Sequence, residues 1–316
     1  MSDAVRAVGI PAYAPVVDHE IRAPVAGDLD AVAAILEAAD PDSTLDAGFV
    51  GEEWSRPGFD LAADAWVAVG EGGAIAGYGQ AFLEEPGLVE SWAVVHPDDR
   101  GRGIGSALLD RIEARAAERS ATRLRNAISA SDEAAKTLLH ARGMRPARHF
   151  WHMQIDLDPP PPPPAPPPDG IEIAPPEDDL APVHEVLDAA FVDHWGNHSE
   201  PFEAWIEAHR SSPSHDPALW LLARDRGEPV AALTAAVWGD RGWIDDLGVL
   251  SSHRGRGIAA ALLRRTFATL AARGCREARL SVDSQNATGA TVLYQRVGMR
   301  VVWGFEQWER GVPLET

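Results

Sequence analysis

"SSHRGRGIAAALLRR", residues 251–265, and "PDDRGRGIGSALLDR", residues 97–111, decide how this 316-residue chain is read. Each is a glycine- and arginine-rich loop that runs into apolar residues at helical spacing. Glycine lets backbone amides come close to a ligand. The helix start adds unpaired N–H groups and a partial positive charge. Together they predict a cradle for an anion such as a pyrophosphate. The candidates are Arg254, Gly255, Arg256, Gly257, Ile258 and Ala259 in the second copy, and Arg100, Gly101, Arg102, Gly103, Ile104 and Gly105 in the first. Taken singly, either loop also reads as a tight turn with solvated arginines.

Outward from the loops, the two halves of the chain match. "IRAPVAGDLDAVAAILEAAD" from 21 parallels "IEIAPPEDDLAPVHEVLDAA" from 171. Each is a short apolar alternation, an acidic helix start and a helical apolar period. "AWVAVGEGGAIAGYGQAFL" and "LWLLARDRGEPVAALTAAVW" both read as hairpins with Gly-containing turns. A strand, the repeated loop, an amphipathic helix, another strand, a second helix and a last strand follow in both. "DPPPPPPAPPPDG", 158–170, separates the halves. Proline fixes φ and removes the amide donor, so this run is expected to be an extended, semi-rigid spacer. The expectation is a duplicated α/β domain with a mixed sheet, 1–157 and 171–316 around the linker.

Composition narrows the function classes. The chain is 45% hydrophobic and 24% charged, as a globular protein is. No apolar run approaches the roughly 20 residues a membrane span needs. The first residues have neither a basic start nor an apolar block, so the expected location is the cytoplasm. A net charge of −20 argues against nucleic acid as a partner. Cys275 is the only cysteine, which excludes a disulfide framework within the chain, and its setting reads as entry to a buried strand.

The phosphate-loop type follows by comparison of patterns. The GxxxxGK[ST] nucleotide loop is absent. Gly255, Gly257 and Ala260 fit GxGxxG/A, but a dinucleotide domain needs repeated βαβ units around that loop, and here a hairpin precedes it. "RGRGIG" and "RGRGIA" resemble the [Q/R]xxGxG/A signature of the GNAT N-acetyltransferases, and the order of elements fits that family across both halves. The tandem arrangement is similar to that of actinobacterial acetyltransferases with two such domains. The resemblance implies acetyl-CoA as cosubstrate, bound at both cradles, no metal, and a backbone N–H near Val249 that polarises the thioester carbonyl.

It also implies a difference between the halves. In the second, "SVDSQNATGATVLYQRVGM" places Asn286 and Tyr294 where the family contacts the cofactor region and protonates the leaving thiolate. In the first, Ser131 and Leu139 stand there, so the first half is expected to bind or support without turnover. An amine acceptor has a pKa near 10 and must lose a proton. "WIDDLGVL" offers Asp245 and Asp246; alternation along a strand lets one of them face the cleft, and the reading leans to Asp246. "FVDHWGNHSEPFEAWIEAHR", 191–210, gives Asp193, His194 and Trp195, with His198 and Glu200, as an acceptor pocket for a small cationic amine with an apolar part. His194 and His198 have i, i+4 spacing, but the glycine and polar residues between them favour loop over a helical metal pair. The competing classes are a non-catalytic acyl-CoA sensor and a dinucleotide oxidoreductase.

Overall fold

The computed structural model describes residues 19–41, 46–161, 164, 166–196, 199–286 and 288–312. From the first repeat come β1 (Glu20–Arg22), α1 (Leu29–Ala39), α2 (Ala47–Ser55), α3 (Leu61–Asp64), β2 (Ala65–Val69), β3 (Ile75–Glu85), β4 (Leu88–Val95), α4 (Ile104–Glu118), β5 (Arg123–Ser129), α5 (Glu133–Ala141) and β6 (Arg145–Asp156). From the second come β7 (Ile171–Ala174), α6 (Ala181–Phe191), α7 (Phe202–Ser211), β8 (Leu221–Asp225), β9 (Glu228–Trp238), β10 (Arg241–Val249), α8 (Ile258–Ala272), β11 (Glu277–Asp283), α9 (Ala290–Arg296) and β12 (Arg300–Gly311). The mixed α/β architecture is as the sequence pattern predicts. No described helix is long and apolar enough to cross a membrane.

The chain forms two compact units that do not follow the repeat boundary. The first holds residues 60–126 with the segment up to 41 and the last residues. In it, β1 through β4 form an antiparallel meander, with Ala65 opposite Gln80 and Gly77 opposite Val95. Helix α4 turns Ile104, Leu108, Leu109, Ile112 and Ala116 inward at helical spacing. Gly77 is where that helix seats: a Cβ there would lie 2.8 Å from Ile104 Cγ2. Arg115 closes the other end of α4 with a 2.8 Å ion pair to buried Asp64.

The second unit holds residues 42–59 and 127–310, so α2, α5 and β6 of the first repeat group with the second repeat. Strands β7 to β10 run antiparallel in order, and β10 pairs parallel with β11. Strand β6 then lies between β11 and β12, with Met153 opposite Leu280 on one side and Phe150 opposite Phe305 on the other. The first repeat's closing strand therefore fills a central position in this sheet. Helices α6 and α8 cover opposite faces. A Cβ on Gly242 would strike Leu270 of α8 at 2.4 Å, and one on Gly248 would strike Ala190 of α6 at 2.9 Å.

The inserted strand predicts that residues 171–316 alone do not fold. Without β6, neither edge it pairs has its partner, and Leu280 and Val282 lose cover. Expression of 171–316 is expected to yield chains without a cooperative thermal transition by circular dichroism. A cooperative melt like that of the full chain would contradict the sheet order.

Candidate active site

The second cradle lies at the start of α8. Gly257, its N-cap, has φ +83°, and Gly255 has φ +77°, a region that side chains with a Cβ avoid. This geometry turns the first amides of α8 outward. Among the described residues, the amides of Arg256, Gly257, Ile258 and Ala259 donate to no backbone carbonyl. A helix start with free amides fits a diphosphate. The end of the proline run is close by: a Cβ on Gly257 would meet Pro168 Cγ at 3.9 Å.

The arginines of the loop are not simply rim charges. Arg254, although exposed, folds back along the loop, its guanidinium donating to the carbonyls of Val249 and Ala190, both at 3.1 Å. It braces the loop against β10 and α6. Arg256 pairs with Asp225 at 2.6 Å on an exposed surface. Exposed pairs of this kind are weak.

Next to the cradle, β10 and β11 part. Their parallel pairing ends at Ile244–Leu280, although β10 continues to Val249 and β11 to Asp283. The Leu250 amide donates to Val230 on the β9 side at 3.0 Å. Successive amides of a strand alternate sides, so the Val249 N–H points to the opposite edge, into the gap.

A bulge in β10 decides which acidic residues face the site. The register passes from Ile244–Ala235 to Asp246–Thr234 and leaves Asp245 as the extra residue. The parity of the strand flips there. Gly242 faces α8 and Gly248 faces α6, although six residues apart in a regular strand they would share a face. Trp243 and Asp245 lie opposite Gly242, on the α6 side, and after the flip Asp246 lies there too. The alternation expected from the sequence therefore fails here, and both carboxylates face the α6 side.

Their environments differ. Asp246 accepts from Thr234 Oγ1 at 3.0 Å, and the same oxygen accepts from the Asp246 amide at 3.1 Å. Burial raises its pKa, against the Thr234 hydrogen bond. Asp245 is open to solvent yet surrounded by protein, as at the bottom of a cleft. Desolvation, then repulsion from Asp246 and from Glu52 of α2, pushes its pKa up to about 8. Glu52 belongs to the first repeat and was not found by sequence reasoning. It accepts from Ser212 Oγ at 3.0 Å, while Asp46, the N-cap of α2, pairs with Arg241 at 3.2 Å.

Tyr294, on α9, is 7% exposed and lies in the core beside this face. Burial and the nearby Asp246 push its pKa up to about 12. It stays a protonated phenol throughout the neutral range. Asn286, at the entry to α9, accepts from the Thr288 amide at 2.7 Å and donates Nδ2 to His194 Nε2 at 3.1 Å. Its side chain thus ties that entry to the segment after α6.

Of the predicted acceptor residues, His194 is half-buried, with its pKa lowered by burial and by Arg254. Asp193 is exposed. Trp195 lies with its ring 6.1 Å from Phe150 and the Arg148 guanidinium 5.4 Å over it. Phe150 and Arg148 come from β6, so the first repeat contributes this wall as well. His198 lies outside the described residues. Sequence reasoning missed Trp243, Trp303, Phe305 and His152, which gather on β10, β12 and β6. The tryptophan-rich ends "VWGDRGW" and "VVWGF" carried the signal, but strand pairing brings them together.

The first copy keeps the loop and differs at the bulge. Gly101 and Gly103 have φ of +78° and +86°, and Gly103 caps α4. Arg100 aligns with Arg254, which puts Ser91 and Trp92 at the places of Asp245 and Asp246. Trp92 packs against buried Tyr78 with ring centroids 5.0 Å apart. Ser91 Oγ donates to the Arg125 carbonyl at 2.6 Å. Leu139, in the other unit, is fully buried as a core residue.

Comparison with known proteins agrees with this geometry. A sequence model described as the acetyltransferase (GNAT) family matches residues 31–144 and 180–299. The mycothiol acetyltransferase of Streptomyces griseus is 32% identical over 234 residues, 72% of this chain and 73% of its own. That of Streptomyces avermitilis is 29% identical, covering 86% of this chain and 88% of its own. Among solved structures, a GCN5-related N-acetyltransferase from Sphaerobacter thermophilus superposes with TM-score 0.83 at 32% identity, over 94% of this chain and 97% of that one. A tandem GNAT protein from the clavulanic acid biosynthesis pathway shares the fold at TM-score 0.71 and 16% identity, over 95% and 100% of the two chains. With both cradles inside the matched regions, the chain belongs to the GNAT family of N-acetyltransferases, which use acetyl-CoA.

Proposed function

We propose that the second repeat transfers the acetyl group of acetyl-CoA to a small cationic amine by direct attack, and that the first repeat binds without turnover. The observation that carries this reading is the bulge: it sets two carboxylates on one face, beside Tyr294 and at the start of the gap between β10 and β11. A pure sensor has no use for that set.

The coenzyme supplies an acetyl group activated as a thioester. The amides of Arg256 to Ala259 hold its diphosphate, and the Val249 N–H donates to the carbonyl oxygen that gains charge during attack. Asp245 is the proton acceptor in this reading, in place of Asp246. It is open to a substrate, and its raised pKa matches a base working near neutral pH. Desolvation keeps that pKa high, and Asp246, held by Thr234, adds to it by like charge. The freed amine nitrogen attacks the acetyl carbon, the C–S bond breaks as Tyr294 O–H gives its proton to the departing thiolate, and the second N–H proton leaves the nitrogen to restore the phenol, so that the one net proton, held by Asp245, passes to solvent. Asn286 and His194 fix the entry to α9, which carries Tyr294. Asp193 and Glu52 add negative charge for an ammonium group. The repeats 1–157 and 171–316, with the proline run between them, are read as the products of a duplicated ancestral domain, while the compact units of the present chain exchange β6 across that boundary.

The test is coenzyme A release with a panel of amines, for the wild type and Asp245→Asn. Wild-type kcat is expected to rise with pH and level off above about 8, because the carboxylate form, dominant above its pKa, is the active one. Asp245→Asn is expected to lose that limb and about 10²-fold in kcat, the usual cost of a missing general base. An unaltered pH limb in the variant would move the base elsewhere. Acetyl-CoA binding without amine-dependent release would favour the sensor.

A further inference from the structure

The ring cluster on the α6 side of the second unit has no role in the chemistry above. His152, on β6, is 6% exposed and lies at the centre of three rings. Its centroid is 5.2 Å from Trp243, 4.6 Å from Trp303 and 5.6 Å from Phe305, each met edge-on. Phe150 stacks on Phe305 at 4.9 Å, and Trp238 stacks on Trp243 at 5.6 Å. Apart from His152, these rings are half-buried, so part of each remains accessible. Burial, with a smaller contribution from Arg279, lowers the His152 pKa to about 4, so the imidazole itself is uncharged at neutral pH.

The cluster is continuous with the proposed base. Trp243 and Asp245 are two residues apart on the same face of β10, about 7 Å along the strand. That is the reach of a two- or three-carbon arm. The rings offer flat apolar surface, while Asp245, Asp246 and Glu52 offer negative charge at one end only. A sugar of the same size would need partners for several hydroxyls, and unpaired ones are costly. Flat rings favour a second flat ring, offset or edge-on.

We infer that Trp243, Trp303, Phe305 and Phe150 form the specificity subsite for the acceptor, which is an amine carried on a short arm from a flat aromatic ring. The inference rests on the acceptor amine meeting Asp245, as proposed above. It makes β6, a strand of the first repeat, a determinant of what the second repeat acetylates.

The experiment uses the full chain with saturating acetyl-CoA and three amines: phenethylamine, n-butylamine and glucosamine. Phenethylamine is expected to exceed butylamine in kcat/KM by about 10- to 100-fold, the value of taking one phenyl-sized surface out of water. In Trp303→Leu that ratio is expected to fall toward unity, through KM for phenethylamine with its kcat kept. Near-equal kcat/KM for the three amines in the wild type, or a preference for glucosamine, overturns the subsite and leaves the Asp245 and Tyr294 chemistry standing. If no amine is acetylated, quenching of tryptophan fluorescence by phenethylamine, with coenzyme A bound, decides: saturable quenching that weakens in Trp303→Leu supports the subsite. No quenching, or quenching unchanged in the variant, overturns it.

Discussion

Tyr294→Phe is expected to lower kcat by about 10²-fold or more while acetyl-CoA affinity changes little, because loss of a general acid typically costs that much. The substitution removes one oxygen from a residue whose ring is buried in the core, so the fold should tolerate it. The direction of the pKa shift sharpens the test. A phenol at about 12 is protonated throughout the neutral and mildly alkaline range, so wild-type kcat should show no alkaline loss from this group there. The variant's residual rate should become sensitive to the leaving thiol, since the departing sulfur then takes its proton from water. Unchanged turnover would remove Tyr294 from the mechanism.

The second large effect separates the cradles. Gly257→Asp is expected to abolish acetyl-CoA binding to the second repeat and nearly all activity. Two costs combine there. A Cβ at φ +83° is strained by about 1–2 kcal/mol, and a carboxylate meets the diphosphate where amides should. Gly257→Ala isolates the strain and is expected to lose much less. Gly103→Asp makes the same change at φ +86° in the first copy, where a Cβ meets nothing within 4 Å. It is expected to remove one of two binding events by calorimetry and leave most of the activity. Normal affinity in Gly257→Asp would sink the cradle assignment. Loss of catalysis in a folded Gly103→Asp would end the proposed division of labour. A single equivalent bound by the wild type would make the first cradle a relic whose loop outlived its site.

What could be read without a structure was local. The two RGRGI loops announce themselves because a turn with glycines in left-handed conformation and the helix after it are written in adjacent residues. The same holds for the duplication, the hairpins and the pair Asn286 and Tyr294, which one strand-loop-helix places. Apolar periodicity marked α4 and α8 for the same reason: their buried faces repeat every three or four residues.

What the sequence could not decide depends on partners far along the chain. Whether Asp245 and Asp246 share a face is set by a one-residue slip against β9, and the alternation of a free-standing strand gives the opposite answer. Glu52 reaches this region because α2 groups with the second unit, although more than a hundred residues separate it from β10. The ring cluster exists only because β6 pairs with both β11 and β12 and so carries His152 and Phe150 to Trp243, Trp303 and Phe305. Hydrogen-bond ladders between distant strands, not local preference, choose that order. The sequence alone therefore determined the two glycine-rich loops, the helices they start and the order of elements around them, and the tertiary structure decided which carboxylates and rings stand beside the second.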